Sequence, residues 1–248
     1  MSRSSSDASP RRVVITGAAG LIGQSLTAGL SDRWDLVATD IHTDGDIGHL
    51  DVTNEQQCRQ TFSGADAVVH LAANPHETAS WDDLKTPNIV GVQAVASAAM
   101  AASVPRLVLA SSLQAVWAYP HDRQVRSTDP ARPANVYGAT KAWAEAVGSW
   151  VAASSDTTVV ALRIGYFSPR PPTGSEATPR NLGAWISPSD CVELVRAAVE
   201  GPVDDFVVLN GVSANRHRYA AYGDAEKAIG YRPNSDAWSP PSDDDPLT

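Results

Sequence analysis

Along the chain, short runs of β-branched residues alternate with longer segments whose apolar positions fall three and four apart. RRVVITG is a compact strand closed by Gly17, and AAGLIGQSLTAGL behind it spaces Leu21, Ile22, Leu26 and Leu30 as one helical face. WDLVATD predicts a second strand ending at Asp40, and DIGHLDV a short third one. Thr53 then reads as the cap of a helix that runs to Phe62. ADAVVHLAA is a fourth strand, apolar without interruption, as expected of a strand covered on both faces. The spacing predicts a long helix over 87–102, a fifth strand in RLVLASS, a Pro- and charge-rich loop over 119–135, a helix carrying Lys141, and a sixth strand in TTVVALRIG.

This order implies an α/β fold of the Rossmann type, a doubly wound parallel sheet. After Gly165 the pattern changes. SPRPPTGSEATPRNLG reads as a Pro/Gly-rich loop, SPSDCVELVRAAVE as a capped helix, DDFVVLNG as a strand, and GDAEKAIGYRP as a last helix and turn. The expected division is a disordered lead-in at 1–10, a nucleotide-binding domain at 11–165, a small substrate-binding part at 166–233 packed on the sheet edge, and an acidic tail at 234–248.

Composition narrows the function. A formal charge of −9 without a basic run argues against nucleic acid as a partner. The longest apolar run, 89–104, is too short and too polar to span a bilayer, and the polar N-terminus is no secretory signal. Cys58 and Cys191 have neither metal nor redox spacing, and the six histidines form no ligand pair, so no metal is expected and the cytoplasm is the expected compartment.

Chemistry enters at two places. TGAAGLIG sets Gly17, Gly20 and Gly23 between the first strand and helix, where a tight turn brings backbone and a helix N-terminus to a pyrophosphate. Asp40 follows about twenty residues on, placed to accept from ribose hydroxyls and to repel a 2′-phosphate, which favours NAD over NADP. Asp51-Val52 closes the third strand where a carboxylate can face an adenine amino group, and Leu71, Ala72 and Ala73 leave bare backbone for a dinucleotide. The second place is YGATK. Only three lysines occur in the chain, and one of them, Lys141, stands four residues after Tyr137 on the same helix face. An ammonium there stabilises a phenolate and makes tyrosine a usable general base, and Ser112 lies at the same sheet edge to hold a substrate oxygen.

TGAAGLIG, Asp40, Asp51-Val52, HLAA, NIVG, ASS, YGATK and LRIG together resemble the extended short-chain dehydrogenase/reductases, the family of NAD-dependent epimerases and dehydratases. The resemblance covers 13–233 and is nearest to the uronate dehydrogenases, short members that oxidise the anomeric carbon of a hexuronic acid to a lactone. It implies tightly held NAD and a catalytic set of Ser112, Tyr137 and Lys141. Leu21, Ile22, Ile41, Val52, Asn88, Ser111 and Ile164 join the glycines, the two aspartates, 71–73, Tyr137 and Lys141 as implied cofactor residues, with Asn88 supporting the surroundings of the lysine.

Toward the substrate the resemblance implies Asn74, His76, Leu113, Gln114, Tyr166 and Arg180, the arginine suited to holding a carboxylate. The chain departs from that group there. Ser112-Leu113-Gln114 replaces Ser-Asn-His, while Pro75 and Tyr166 stand where serines are usual. The expectation is therefore uronate-dehydrogenase-like hydride transfer from a sugar-like or related small alcohol to NAD, with the identity of the alcohol left open. The alternatives are an epimerase or dehydratase that returns the hydride, and a catalytically silent NAD-sensing regulator. Family members pair through the helices at 88–102 and 137–153, which implies a homodimer.

Overall fold

The computed structural model describes residues 11–239; the expected lead-in at 1–10 and the last part of the tail, 240–248, lie outside them. Its first half runs β1 (Arg12–Thr16), α1 (Leu21–Leu30), β2 (Asp35–Asp40), β3 (Gly48–His49), α2 (Glu55–Phe62), β4 (Ala67–His70), α3 (Trp81–Leu84), α4 (Val92–Ala101) and β5 (Arg106–Ser112). It continues with α5 (Val136–Ser154), β6 (Thr158–Ile164), β7 (Tyr166–Phe167), α6 (Pro179–Ala184), β8 (Trp185–Ile186), α7 (Pro188–Glu200), β9 (Phe206–Gly211) and α8 (Gly223–Ile229).

Seven of the described strands form one parallel sheet in the order β3-β2-β1-β4-β5-β6-β9. The chain builds outward from β1 to β3, then crosses back to lay β4 on the other side of β1. That reversal opens a crevice at the C-terminal ends of β1 and β4, where sheets of this kind bind ligands. The β1 and β4 runs are buried because both faces are covered. On one side α1, α7 and Tyr231 pack on Val13, Ile15 and Val69. On the other, α2, α4 and α5 pack on Val14, Val68, Leu107 and Val159.

Residues 166–233 divide between two places. β9 pairs along β6 from Val159↔Phe206 to Ile164↔Gly211, and α7 lies on the sheet face. β7 and β8 form a separate parallel pair just beyond the end of β6. Residues 234–239, expected in the tail, are anchored: Asn234 and Ser235 donate to the Asp190 carboxylate at 2.8 and 3.0 Å, and Asp236 pairs with Arg216 at 2.8 Å.

Several element boundaries differ from the sequence reading. The α2 cap is Asn54, whose side chain accepts from Gln57, because the Thr53 hydroxyl is already given to Asp51 at 2.7 Å. The helix expected from residue 87 begins at Trp81 under a Ser80/Asp83 capping box. It passes Pro87 through a π-helical segment, Lys85–Gly91, whose wider turn accommodates a residue lacking an N–H. Within the expected loop, Thr178 caps α6 with Pro179 at its first position.

Candidate active site

One cleft of about 890 Å³ opens over the switch between β1 and β4. Its floor begins at the turn after β1. Gly17 has φ +79°, and a Cβ there would stand 2.5 Å from the Ala72 nitrogen, so the loop after β4 packs directly on bare backbone. Gly20 differs: a Cβ at this position would meet protein only at the Gly17 carbonyl, 3.4 Å away, and would otherwise occupy the cleft. Gly20 also caps α1, with no side chain serving the first N–H groups of that helix. This is a cradle shaped for an anion.

Asp40 closes β2 at the rim. Its carboxylate accepts from the Ala19 nitrogen at 3.1 Å and from the His42 nitrogen at 2.9 Å, which fixes it beside the glycine turn. Asp51 lines the same end; the Thr53 hydroxyl and amide donate to it and hold its carboxyl below the usual range. Leu21, Ile22, Gly23, Ile41, Val52, Leu71, Ala72, Ala73, Ser111 and Ile164 also line the cleft. The chemistry of this end, an open glycine, free helix amides and a fixed carboxylate, fits a dinucleotide.

At the far end the last residues of β5 meet the first turn of α5. Asn135 caps α5 by accepting from the Gly138 nitrogen at 2.7 Å, which sets Tyr137 in the first turn, buried against the sheet edge. Burial pushes the Tyr137 phenol up to about 12; the neighbouring Ser112 hydroxyl opposes this, and the Glu77 charge adds to it. Lys141 lies one turn on, its Nζ 5.5 Å from the Tyr137 ring centre and donating to the Ala110 carbonyl at 3.0 Å. Burial lowers the ammonium to about 8. Behind it, His70 bonds Thr16 Oγ1 at 2.8 Å and is pushed down to about 3 by burial and by the Lys141 charge, leaving its Nε2 without a partner among the described residues.

Ser112, Tyr137 and Lys141 thus share one wall of the cleft, with Asn74 and Gln114 beside them. Other expected site residues lie elsewhere. Asn88 is buried behind the wall, accepting from the Asn74 nitrogen at 2.8 Å and donating to Thr140 Oγ1 at 3.1 Å. It therefore braces the helix of Lys141 from outside the cleft. Leu113 is buried among Val116, Val125, Ala184 and Val212, because the turn after Ser112 points it into that small core. His76 faces solvent and is not in the lining. Tyr166 is 39% exposed; strand alternation turns it outward and puts Phe167 into the cleft instead.

Arg180 also stands outside the lining. Its guanidinium carbon is 3.8 Å from the Trp117 ring centre and 4.4 Å from that of Tyr219. It donates to the Trp117 carbonyl and, at 2.6 Å, to the Tyr219 hydroxyl, while His121 lies 3.1 Å from its other terminal nitrogen. Both terminal nitrogens are thus engaged, while Nε is buried without a partner among the described residues. Thr178-Pro179, a cap followed by proline at the first helical position, was the sequence signal that this arginine sits on a helix.

Sequence reasoning missed Glu77, which reaches the cleft and accepts from Gln114 Nε2 at 2.7 Å. It also missed the support behind Ser111, whose hydroxyl donates to Glu145 at 2.6 Å while Arg163 holds both Glu145 oxygens at 2.8 Å. A charged residue inside the apolar β6 run and an acid one turn beyond Lys141 were the available signals.

A parallel sheet with an anion cradle at its switch point and a Ser-Tyr-Lys wall opposite defines a Rossmann-type nucleotide-binding enzyme class. Residues 13–187 match the model of the NAD dependent epimerase/dehydratase family, and the chain belongs to that family. It is 35% identical to the L-arabinose 1-dehydrogenase (NAD(P)(+)) of Haloferax volcanii over 91% of this chain and 97% of that protein. It is 30% identical to the NAD-dependent glucose-6-phosphate dehydrogenase of the same organism, over 91% of this chain and 94% of that protein. A uronate dehydrogenase from Agrobacterium tumefaciens, solved with NAD, superposes with a TM-score of 0.83 at 25% identity, covering 96% of this chain and 93% of that one.

Proposed function

We propose that this protein is an NAD-dependent sugar dehydrogenase that oxidises the anomeric hydroxyl of a small sugar to a lactone. The observation that carries the reading is the convergence of Ser112, Tyr137 and Lys141 on one wall of the cleft whose other end is the glycine cradle with Asp40. The backbone of residues 19–23 would hold the diphosphate, Asp40 the adenosine ribose, and Lys141 the ribose next to the reacting ring. NAD, when bound, supplies the acceptor for the hydride that leaves the sugar carbon.

The chain's own residues handle the proton. Ser112 orients the sugar hydroxyl, and Tyr137 as phenolate takes its proton, so the C–O single bond becomes a carbonyl as the hydride departs. A buried phenol at about 12 is poorly ionised at neutral pH, so positive charge beside it is required. Lys141 at about 8 is still mostly protonated there and supplies that charge. The two relatives at 30% identity or more are named as dehydrogenases of a sugar and of a sugar phosphate, which supports net oxidation over the epimerase reading.

Sugars incubated with NAD, with reduced cofactor followed by absorbance, test the reading. Sustained NADH formation with a lactone product is expected, and Tyr137→Phe should lower kcat by about 10²–10⁴-fold with NAD binding retained. An isomerised sugar without net NADH would transfer the assignment to an epimerase, and no turnover of any sugar would leave the sensor reading.

Two further points belong to the same proposal. Trp143 and Trp150 are 41% and 44% exposed on α5, and Val90 is 41% exposed on the π-helical segment. Such exposed apolar surface on α5 and the adjacent π-helical segment supports a homodimer through these elements. Among the described residues no helix is long and apolar enough to cross a membrane, and both cysteines are free and buried, which supports a cytoplasmic site of action.

A further inference from the structure

The substrate end of the cleft is lined by Asn74, Pro75, Glu77, Ser112, Gln114 and Phe167, with Tyr137 at its back. Among the described residues Lys141 is the one lysine or arginine in the lining, and it is buried. Arg180, the residue suited to a carboxylate, lies outside this lining, packed between Trp117 and Tyr219 and bonded there through its terminal nitrogens, with Nε buried and unpartnered among the described residues. The charge presented to a sugar is therefore that of Glu77.

Glu77 is held in place. Gln114 donates from Nε2 to the Glu77 carboxylate at 2.7 Å and accepts through Oε1 from Asn135 Nδ2 at 3.1 Å. Asn135 is the cap of α5, so the chain Glu77–Gln114–Asn135 ties the carboxylate to the helix that presents Tyr137. The Glu77 charge is felt at the phenol itself, which it helps to push up. A carboxylate fixed this way accepts hydrogen bonds from sugar hydroxyls and repels a second anion.

We propose that Glu77, positioned by Gln114 and Asn135, is a specificity-determining residue that makes this site select uncharged sugars and reject those carrying a carboxylate or phosphate. This inference rests on the sugar-dehydrogenase reading and adds to it the charge class of the substrate.

D-galactose and D-galacturonate test it as a matched pair, because they differ only in the oxidation state of C6. D-glucose, D-glucuronate and glucose 6-phosphate give a second set. In the wild type, kcat/KM for the neutral member should exceed that for its anionic partner by roughly tenfold or more, the factor a nearby like charge produces. Glu77→Gln should bring that ratio down severalfold, mainly through the KM of the uronate, and Glu77→Asp should restore part of it. A wild-type preference for the uronate or the phosphate, or a ratio unmoved by Glu77→Gln, overturns the assignment.

Binding is measured in parallel, by titrating each sugar into the NADH complex, so that failure of the two readings can be told apart. If no sugar yields NADH, the dehydrogenase reading falls. The charge assignment then stands or falls on whether galactose binds more tightly than galacturonate and whether Glu77→Gln narrows the gap. Tighter galacturonate binding, or no binding of either sugar, overturns it.

Discussion

The Lys141 ammonium lies 5.5 Å from the centre of the Tyr137 ring and donates to the Ala110 carbonyl, so a buried cation is held against a phenol with one backbone oxygen as its partner. Nothing in the packing of α5 asks for a charge there. Burial holds the ammonium at about 8 against an ordinary 10.5, a cost carried by the fold for the sake of the site.

That cost has a sign that can be measured. Between pH 8 and 10.5 the unfolded chain keeps a proton on this lysine that the folded protein has released, so the Lys141 contribution to stability rises with pH across that window. Lys141→Met removes the penalty. It should raise unfolding stability at pH 7 by about 1–3 kcal/mol, with the advantage over wild type shrinking as pH approaches 10. Denaturant unfolding of both proteins over a pH series measures this. The same variant should lose turnover, which separates a functional lysine from a structural one.

Gly17 and Gly20 should respond oppositely to alanine. Gly17→Ala puts a methyl 2.5 Å from the Ala72 nitrogen at a φ of +79°, so the folded yield and Tm should fall. Gly20→Ala meets only the Gly17 carbonyl at 3.4 Å, so the protein should fold with a near-normal Tm. Its methyl stands where a diphosphate would lie, and NAD affinity should drop about tenfold or more, ~1.4 kcal/mol. Calorimetric titration of NAD into each variant reads the difference; unchanged NAD binding by Gly20→Ala would remove the cradle as the diphosphate site.

The Glu145–Arg163 pair is bidentate at 2.8 Å with both side chains buried, and Glu145 also takes the Ser111 hydroxyl. Arg163→Met leaves that carboxylate buried without its partner and should cost about 3–5 kcal/mol. Replacing both residues by Met should recover most of the loss, because a buried pair is worth little against apolar packing once neither charge remains. Thermal unfolding of the single and double variants checks this.

The sheet was legible in the sequence because strands covered on both faces read as unbroken apolar runs, as in VVIT and AVVH. That Gly17, Gly20, Gly23 and Asp40 line one end of the cleft was legible too, since they come from one βαβ unit and lie near each other along the chain. The substrate end was not. Glu77 and Gln114 meet across 37 positions, and Arg180 reaches Trp117 across 63. Such contacts depend on where loops converge, which no local periodicity encodes. Tyr166 and Leu113 were misplaced for a simpler reason: a one-residue difference in strand or turn phase decides which neighbour faces the cleft.

Gly138 carries one more consequence. A Cβ on it would stand 2.2 Å from the Gln114 carbonyl oxygen, so the main chain of Gln114 is clamped against the first turn of α5 while its amide joins Asn135 to Glu77. Laboratory evolution toward new sugars should therefore vary positions 77, 114 and 135 as one connected set, with glycine kept at 138.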